Sequence, residues 1–171
     1  MQILVTVASR HGATAEIGSA IADVLRADGH HVVEAAPERV ADVDGYDAVV
    51  LGSAVYTAHW LPAARDLAAR LAAGLRERPV WLFSSGLATQ PAARANSPHE
   101  LLALARDIGA QGHRAFAGRL VRADLAFAER AIIAGARAKE GDHRDFAAVE
   151  AWGREIAEHL RATAAPHAAS A

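Results

Sequence analysis

The apolar stretch QILVTVA (Gln2 to Ala8) runs straight into SRHGAT (Ser9 to Thr14), after which a helical pattern begins. Ser9 and Thr14 bring hydroxyl donors, and Gly12 lets the backbone approach a ligand closely. Arg10, His11 and the Ala13 amide complete a short, positively biased turn. A helix that starts there presents unpaired amides and the positive end of its dipole, the chemistry that binds a phosphate. The alternative is an ordinary strand-to-helix connection with Thr14 as the helix N-cap. The turn lacks GxGxxG and a following Gly-Lys-Ser/Thr, so it is neither a dinucleotide fingerprint nor a P-loop. It lacks GxSxG and carboxylates as well, which speaks against a serine hydrolase or a phosphorylated receiver. A monophosphate on a compact ligand fits best.

Two further loops leave apolar strands on the same pattern. In GSAVYTAHW (Gly52 to Trp60), Ser53, Ala54 and Val55 offer little bulk, and Tyr56 offers a surface for a planar ring. His59 is the titratable side chain of these ring loops, so it is the candidate proton donor or acceptor, unless it is a surface residue at a helix start. Trp60 tops the core. In SSGLATQP (Ser84 to Pro91), Ser84, Ser85, Gly86, Leu87, Ala88 and Thr89 offer hydroxyls and amides to the polar edge of a ring, or else form a solvated loop. A phosphate, a short linker and a flat heteroaromatic ring describe flavin mononucleotide (FMN).

The elements that must hold these loops follow from periodicity. Strands are expected at Gln2 to Ala8, His31 to Ala36, Asp47 to Ala54, Pro79 to Ser85 and His113 to Val121. Between them, apolar positions recur at helical spacing from Thr14 to Leu25, Leu61 to Leu75 and Pro98 to Ile108; Leu101, Leu102, Ala105 and Ile108 are read as inward-facing. A final helix is expected from about Asp145 to Arg161. Alternating strands and helices predict an α/β fold with a doubly wound, five-stranded parallel sheet covered on both faces. One extra helix, with its stripe on Leu125, Ala128, Ile132 and Ala136 (124–139), precedes the last one. It covers a sheet edge or contacts a partner or membrane surface. Residues 1–162 read as one domain and 163–171 as a frayed tail.

Composition limits the chemistry. The 171 residues are alanine-rich and suit one sizeable core. The formal charge of -2 speaks against nucleic-acid binding. No cysteine is present, so thiolate-metal sites, disulfides and cysteine nucleophiles are excluded; no metal site is expected, and redox chemistry needs a cofactor. The chain reads as cytoplasmic, with neither a signal core nor a membrane span.

Ser9, Gly12 and Thr14 resemble the flavodoxin phosphate loop, Ser/Thr-x-Thr-Gly-x-Thr, with His11 in place of its middle hydroxyl residue. The segments ASRHGATAEIG, VVLGSAVYTAHW, FAERAI and EGDHRDFAAVEAW are similar to the flavodoxin-like, menaquinone-dependent protoporphyrinogen oxidase family. In the last of these, Asp142 is read as the cap of the final helix and Asp145 as a first-turn residue. The resemblance implies a flavodoxin-like sheet of order 2-1-3-4-5 with bound FMN. It also implies oxidation of protoporphyrinogen IX to protoporphyrin IX for haem synthesis. A membrane quinone would accept the electrons, with peripheral contact at the inner face of the membrane. The alternative is a flavodoxin-type electron carrier without substrate chemistry of its own. Carriers are acidic and sandwich the flavin between two aromatics, whereas this chain is near neutral with one aromatic ring loop. A scaffold without cofactor is the third option.

Overall fold

The computed structural model describes residues 1–86, 99–121, 123 and 140–164. The expected helix over 124–139, the loop residues Leu87, Ala88 and Thr89, and tail residues 165–171 lie outside those described. In chain order the elements are β1 (Gln2–Ala8), α1 (Ala13–Ala27), β2 (His31–Ala35), β3 (Ala48–Tyr56), β4 (His59–Trp60), α2 (Pro62–Arg70) and α3 (Ala72–Arg76). They continue with β5 (Val80–Gly86), α4 (Glu100–Asp107), β6 (Gly112–Ala117), β7 (Arg119–Leu120), β8 (Gly141–Asp142) and α5 (Phe146–Ala164). The five long strands form a parallel sheet in the order β2-β1-β3-β5-β6, the expected 2-1-3-4-5 arrangement. Short β4 adds to β3 in the antiparallel sense, and β7 pairs with β8 in a separate ribbon.

Strand side chains alternate between two apolar layers, as a sheet buried on both faces requires. Ile3, Val5, Val50, Trp81 and Phe83 face α1 and α5, where Ile17, Ile21, Leu25, Val149, Trp152, Ile156 and Leu160 complete one layer. Leu4, Val49, Leu51, Val80 and Leu82 face the other way, against Trp60, Leu67, Leu75, Leu101 and Ile108. Each fully buried Leu, Ile or Phe contributes about 1.5–3 kcal/mol relative to exposure, so these layers hold the strand ends rigid. No described helix is long and apolar enough to cross a membrane.

Four expectations change. The stretch Leu61 to Leu75 is two helices, because the chain bends at Leu71 (φ -105°, ψ 15°). The fifth strand ends at Ala117, and Arg119–Leu120 turns away to pair with Gly141–Asp142. Leu102, expected inside, is 69% exposed, because Leu101 and Ile108 take the inward positions of α4. The last helix runs on through Thr163, whose hydroxyl donates to the His159 and Leu160 carbonyls.

One close approach fixes the centre of the sheet. Gly52 pairs with Phe83, and a Cβ at Gly52 would meet the Phe83 ring at 2.2 Å. The ring space over Gly52 lets Phe83 pack edge-on to Phe116 and Trp152, with centroids 6.1 and 6.2 Å away. Gly52→Ala is therefore expected to cost about 1–3 kcal/mol through overpacking. Urea denaturation measures it; an unchanged midpoint would contradict this packing.

Candidate functional site

The three suspected loops leave the sheet at one level. Ala8 pairs with Ser53, Ser53 with Ser84, and Ser84 with Ala115. The carboxyl ends of β1, β3 and β5 thus form one edge, where ligands of open parallel sheets bind.

At this edge α1 begins on Gly12, whose backbone is left-handed (φ 81°, ψ -27°) and which no side chain caps. Thr14 is the second helical residue and is buried, so it is not the cap. The Gly12 carbonyl accepts the Glu16 amide at 3.0 Å, which closes the first turn. Among the described residues, a Cβ at Gly12 would meet no atom within 4 Å, so they leave the space over the turn open. Ser9 and His11 are half-buried, Ala13 likewise, and Arg10 is exposed. An uncapped helix start beside open space and a basic side chain can hold a phosphate through its amides and dipole.

The second loop is a hairpin. β3 continues through Val55 and Tyr56, which pair with Trp60 and His59 of β4. The turn residues Thr57 and Ala58 both have positive φ, 47° and 63°. Such two-residue turns usually carry Asn-Gly, so a Thr-Ala turn gives no sequence signal and stores strain. The Arg10 guanidinium lies 4.6 Å above the Tyr56 ring, which joins the first loop to the second.

Ser53 and Ser84 brace this edge from inside. The buried Ser53 hydroxyl donates to the Ala54 carbonyl (2.9 Å) and accepts the Leu61 amide (3.0 Å). The Trp60 indole N–H donates to Ser84 Oγ at 2.8 Å, and Ser84 Oγ lies 2.8 Å from His113 Nε2. The indole only donates, so Ser84 Oγ is the acceptor of that bond; the direction of the bond to His113 follows the imidazole tautomer. Burial pushes the His113 imidazole down, toward its neutral form. Ala54 and Ser85 are buried, Val55 is half-buried, and Gly86 is the last residue of β5. Ser53 and Ser84 are fully buried and pair with strands on both sides, so they brace this edge from within the sheet.

His59 stands 62% exposed on the hairpin, with Nδ1 3.1 Å from Glu100 Oε2. The other Glu100 oxygen accepts the Trp60 amide at 2.8 Å, and Arg65 approaches to 3.5 Å. Burial alone would raise the Glu100 carboxyl, but the Trp60 amide and His59 hold it below the usual range.

One group beside α1 goes beyond these loops. The Arg144 side chain is only 3% exposed and forks onto Asp142, with Nε 2.8 Å from Oδ1 and Nη2 2.6 Å from Oδ2. Its Nη1 donates to Glu16 Oε2 (2.7 Å) and to the Ala13 carbonyl (3.1 Å). Arg119 Nη2 lies 3.5 Å from the other Glu16 oxygen. The expected roles of the two aspartates are corrected. Asp145 accepts the Ala148 amide at 3.0 Å and is the helix cap, while Asp142 sits on β8 and holds Arg144. The signal in the sequence was the Asp-x-Arg spacing, which puts both side chains on one side of an extended segment.

The Arg144 fork lowers the Asp142 carboxyl from 3.8 to about 2. A carboxyl lowered by folding contributes stability above its ordinary value and loses it as pH falls toward 2. Asp142→Asn is therefore expected to be less stable than the parent at pH 7, with the gap closing as pH falls from about 4 toward 2. Urea midpoints across that range check it; a gap independent of pH would contradict the clamp.

The Flavodoxin domain family matches residues 4–146 of this chain. No curated protein matches it. Among solved structures, a flavodoxin from the domain Archaea is 16% identical, with a TM-score of 0.65, and the match covers 94% of this chain and 99% of that one. Flavodoxin 1 from Bacillus cereus is 15% identical over the same shares, with a TM-score of 0.65. The rubredoxin oxygen:oxidoreductase of Desulfovibrio gigas is 15% identical with a TM-score of 0.65, over 96% of this chain and 37% of that one. At such identities these structures show the shared fold, which the family match joins to a sequence pattern spanning β1 to the start of α5. The chain belongs to the Flavodoxin domain family, and FMN is the cofactor that this membership implies.

Proposed function

We propose that this domain binds FMN at the edge formed by β1, β3 and β5 and acts as a flavodoxin-type electron-transfer protein. The observation that carries the proposal is the start of α1: a left-handed Gly12, no side-chain cap and open space above it. The residues fit the group. The turn from Ser9 to Thr14 would hold the phosphate through α1 amides and the Ser9 hydroxyl, with Arg10 adding charge. Tyr56, already tied to Arg10, would pack against one face of the ring system. The backbone of Val55 and Tyr56, past the part of β3 that pairs with β1 and β5, and of Gly86 at the end of β5, would meet its polar edge. Bound there, FMN supplies the electron exchange that a chain without cysteine cannot.

The protein's own part is to bind, orient and shield. Ser53, Ser84, Trp60 and His113 lock the β3 hairpin to β5 and β6. His59, fixed by Glu100 through Nδ1, is the exposed group that can exchange a proton at Nε2. A second reading, oxidation of protoporphyrinogen IX with a quinone as acceptor, is supported by the sequence resemblance of the EGDHRDFAAVEAW and VVLGSAVYTAHW segments.

Titration with FMN and riboflavin, followed by flavin absorbance, tests the first reading. FMN is expected to bind about tenfold or more tightly than riboflavin, since charge-assisted bonds to the phosphate are worth about 1.5–3 kcal/mol. Gly12→Ala forces a left-handed alanine and is expected to weaken FMN about fivefold. Tyr56→Ala is expected to weaken both flavins about tenfold through lost ring packing. Equal affinity for the two flavins in the parent would contradict the phosphate site. Anaerobic mixing of the FMN complex with reduced tetrapyrrole separates the two readings: bleached flavin bands support the oxidase, and unchanged bands the carrier.

A further inference from the structure

We infer that Arg144 is a positioning residue for the phosphate site, acting through the first turn of α1 and through the charge of Glu16. The inference rests on the FMN reading above.

The segment EGDHRD spans Glu140 to Asp145, far along the chain from SRHGAT, yet it folds against the same helix start. Arg144 Nη1 reaches the Ala13 carbonyl, 131 residues away, in the residue that follows Gly12. That bond fixes the first turn from the side and so fixes the direction of its amides. Asp142 aims the guanidinium by a two-bond fork, and the ring of Phe146 lies 4.9 Å from its central carbon. A nearly fully buried arginine with this many partners has one orientation, which it imposes on what it touches.

Charge gives Arg144 a second task. Glu16 lies in the first turn of α1, where a carboxylate favours the helix dipole but repels a bound phosphate. Arg144 and Arg119 each hold one Glu16 oxygen, at 2.7 and 3.5 Å. The acidic side chain is therefore neutralised at the point where a phosphate dianion needs positive potential. Asp142 balances the second positive charge, so the cluster of two arginines and two carboxylates carries no net charge. Without Arg144, the first turn would lose its prop and Glu16 one of its two counter-charges among the described residues.

The test compares FMN with riboflavin, which lacks the phosphate, on the full chain. Arg144→Gln is expected to weaken FMN about tenfold and to change riboflavin less than about twofold, because the lost interactions act on the phosphate. In a Glu16→Gln background the same change is expected to weaken FMN only about threefold, since the unpaired carboxylate is gone. Parallel losses for FMN and riboflavin would make Arg144 a structural prop only and overturn the inference. Unchanged FMN affinity would overturn it as well. If the glutamine variant does not fold by circular dichroism, Arg144→Lys replaces it. Lysine keeps the charge but not the fork, so a loss of about threefold for FMN, with riboflavin changed less than about twofold, is expected. A parent that fails to distinguish the two flavins would contradict the phosphate site itself, a result separate from any effect of Arg144.

Discussion

A helix start cannot satisfy its own first amides, and in α1 no side chain among the described residues caps them. That constraint organises the carboxyl edge of the sheet. Gly12 takes a backbone conformation that only glycine adopts freely, which turns the chain from β1 into α1 without placing a side chain over the amides. A helix start left without a cap by the described residues is the kind of site at which a phosphate is bound.

The remainder of the fold holds that edge still. Apolar layers on both faces keep β1, β3 and β5 in register, so that Ala8, Ser53 and Ser84 end level. Polar braces then fix what the layers cannot reach. The Trp60 indole, Ser84 and His113 tie three strands through one hydroxyl. Arg10 over Tyr56 joins the first loop to the hairpin, and Arg144 joins the C-terminal segment to the first turn of α1. The hydroxyls of Ser53 and Ser84, which look like ligand donors in the sequence, are thus engaged inside the protein.

The parts legible in the sequence are those governed by local periodicity. The strands β1, β3 and β5 alternate between layers without interruption, and the α1 stripe of Ile17, Ile21 and Leu25 keeps one face. Their order follows from the strand-helix alternation and the flavodoxin resemblance, and SRHGAT forms the turn from β1 into α1 at the carboxyl edge of the sheet. What escaped reading depends on contacts that no local pattern encodes. The β3 hairpin turns on Thr57 and Ala58, which lack the Gly or Asn that marks such turns. Asp142 and Asp145 exchanged roles because an aspartate before a helix looks the same whether it caps the amides or holds an arginine. The reach of Arg144 to Ala13 becomes visible only once the chain is folded.

The most direct test of the central claim reads the amides themselves. Proton–nitrogen correlation spectra of the labelled protein would be followed during additions of FMN and, separately, of riboflavin. The account predicts large downfield shifts for the amides of Gly12 to Ala15 with FMN, and small ones with riboflavin. Shifts confined to other residues, or of equal size with both flavins, would contradict the assignment of the α1 start to the phosphate.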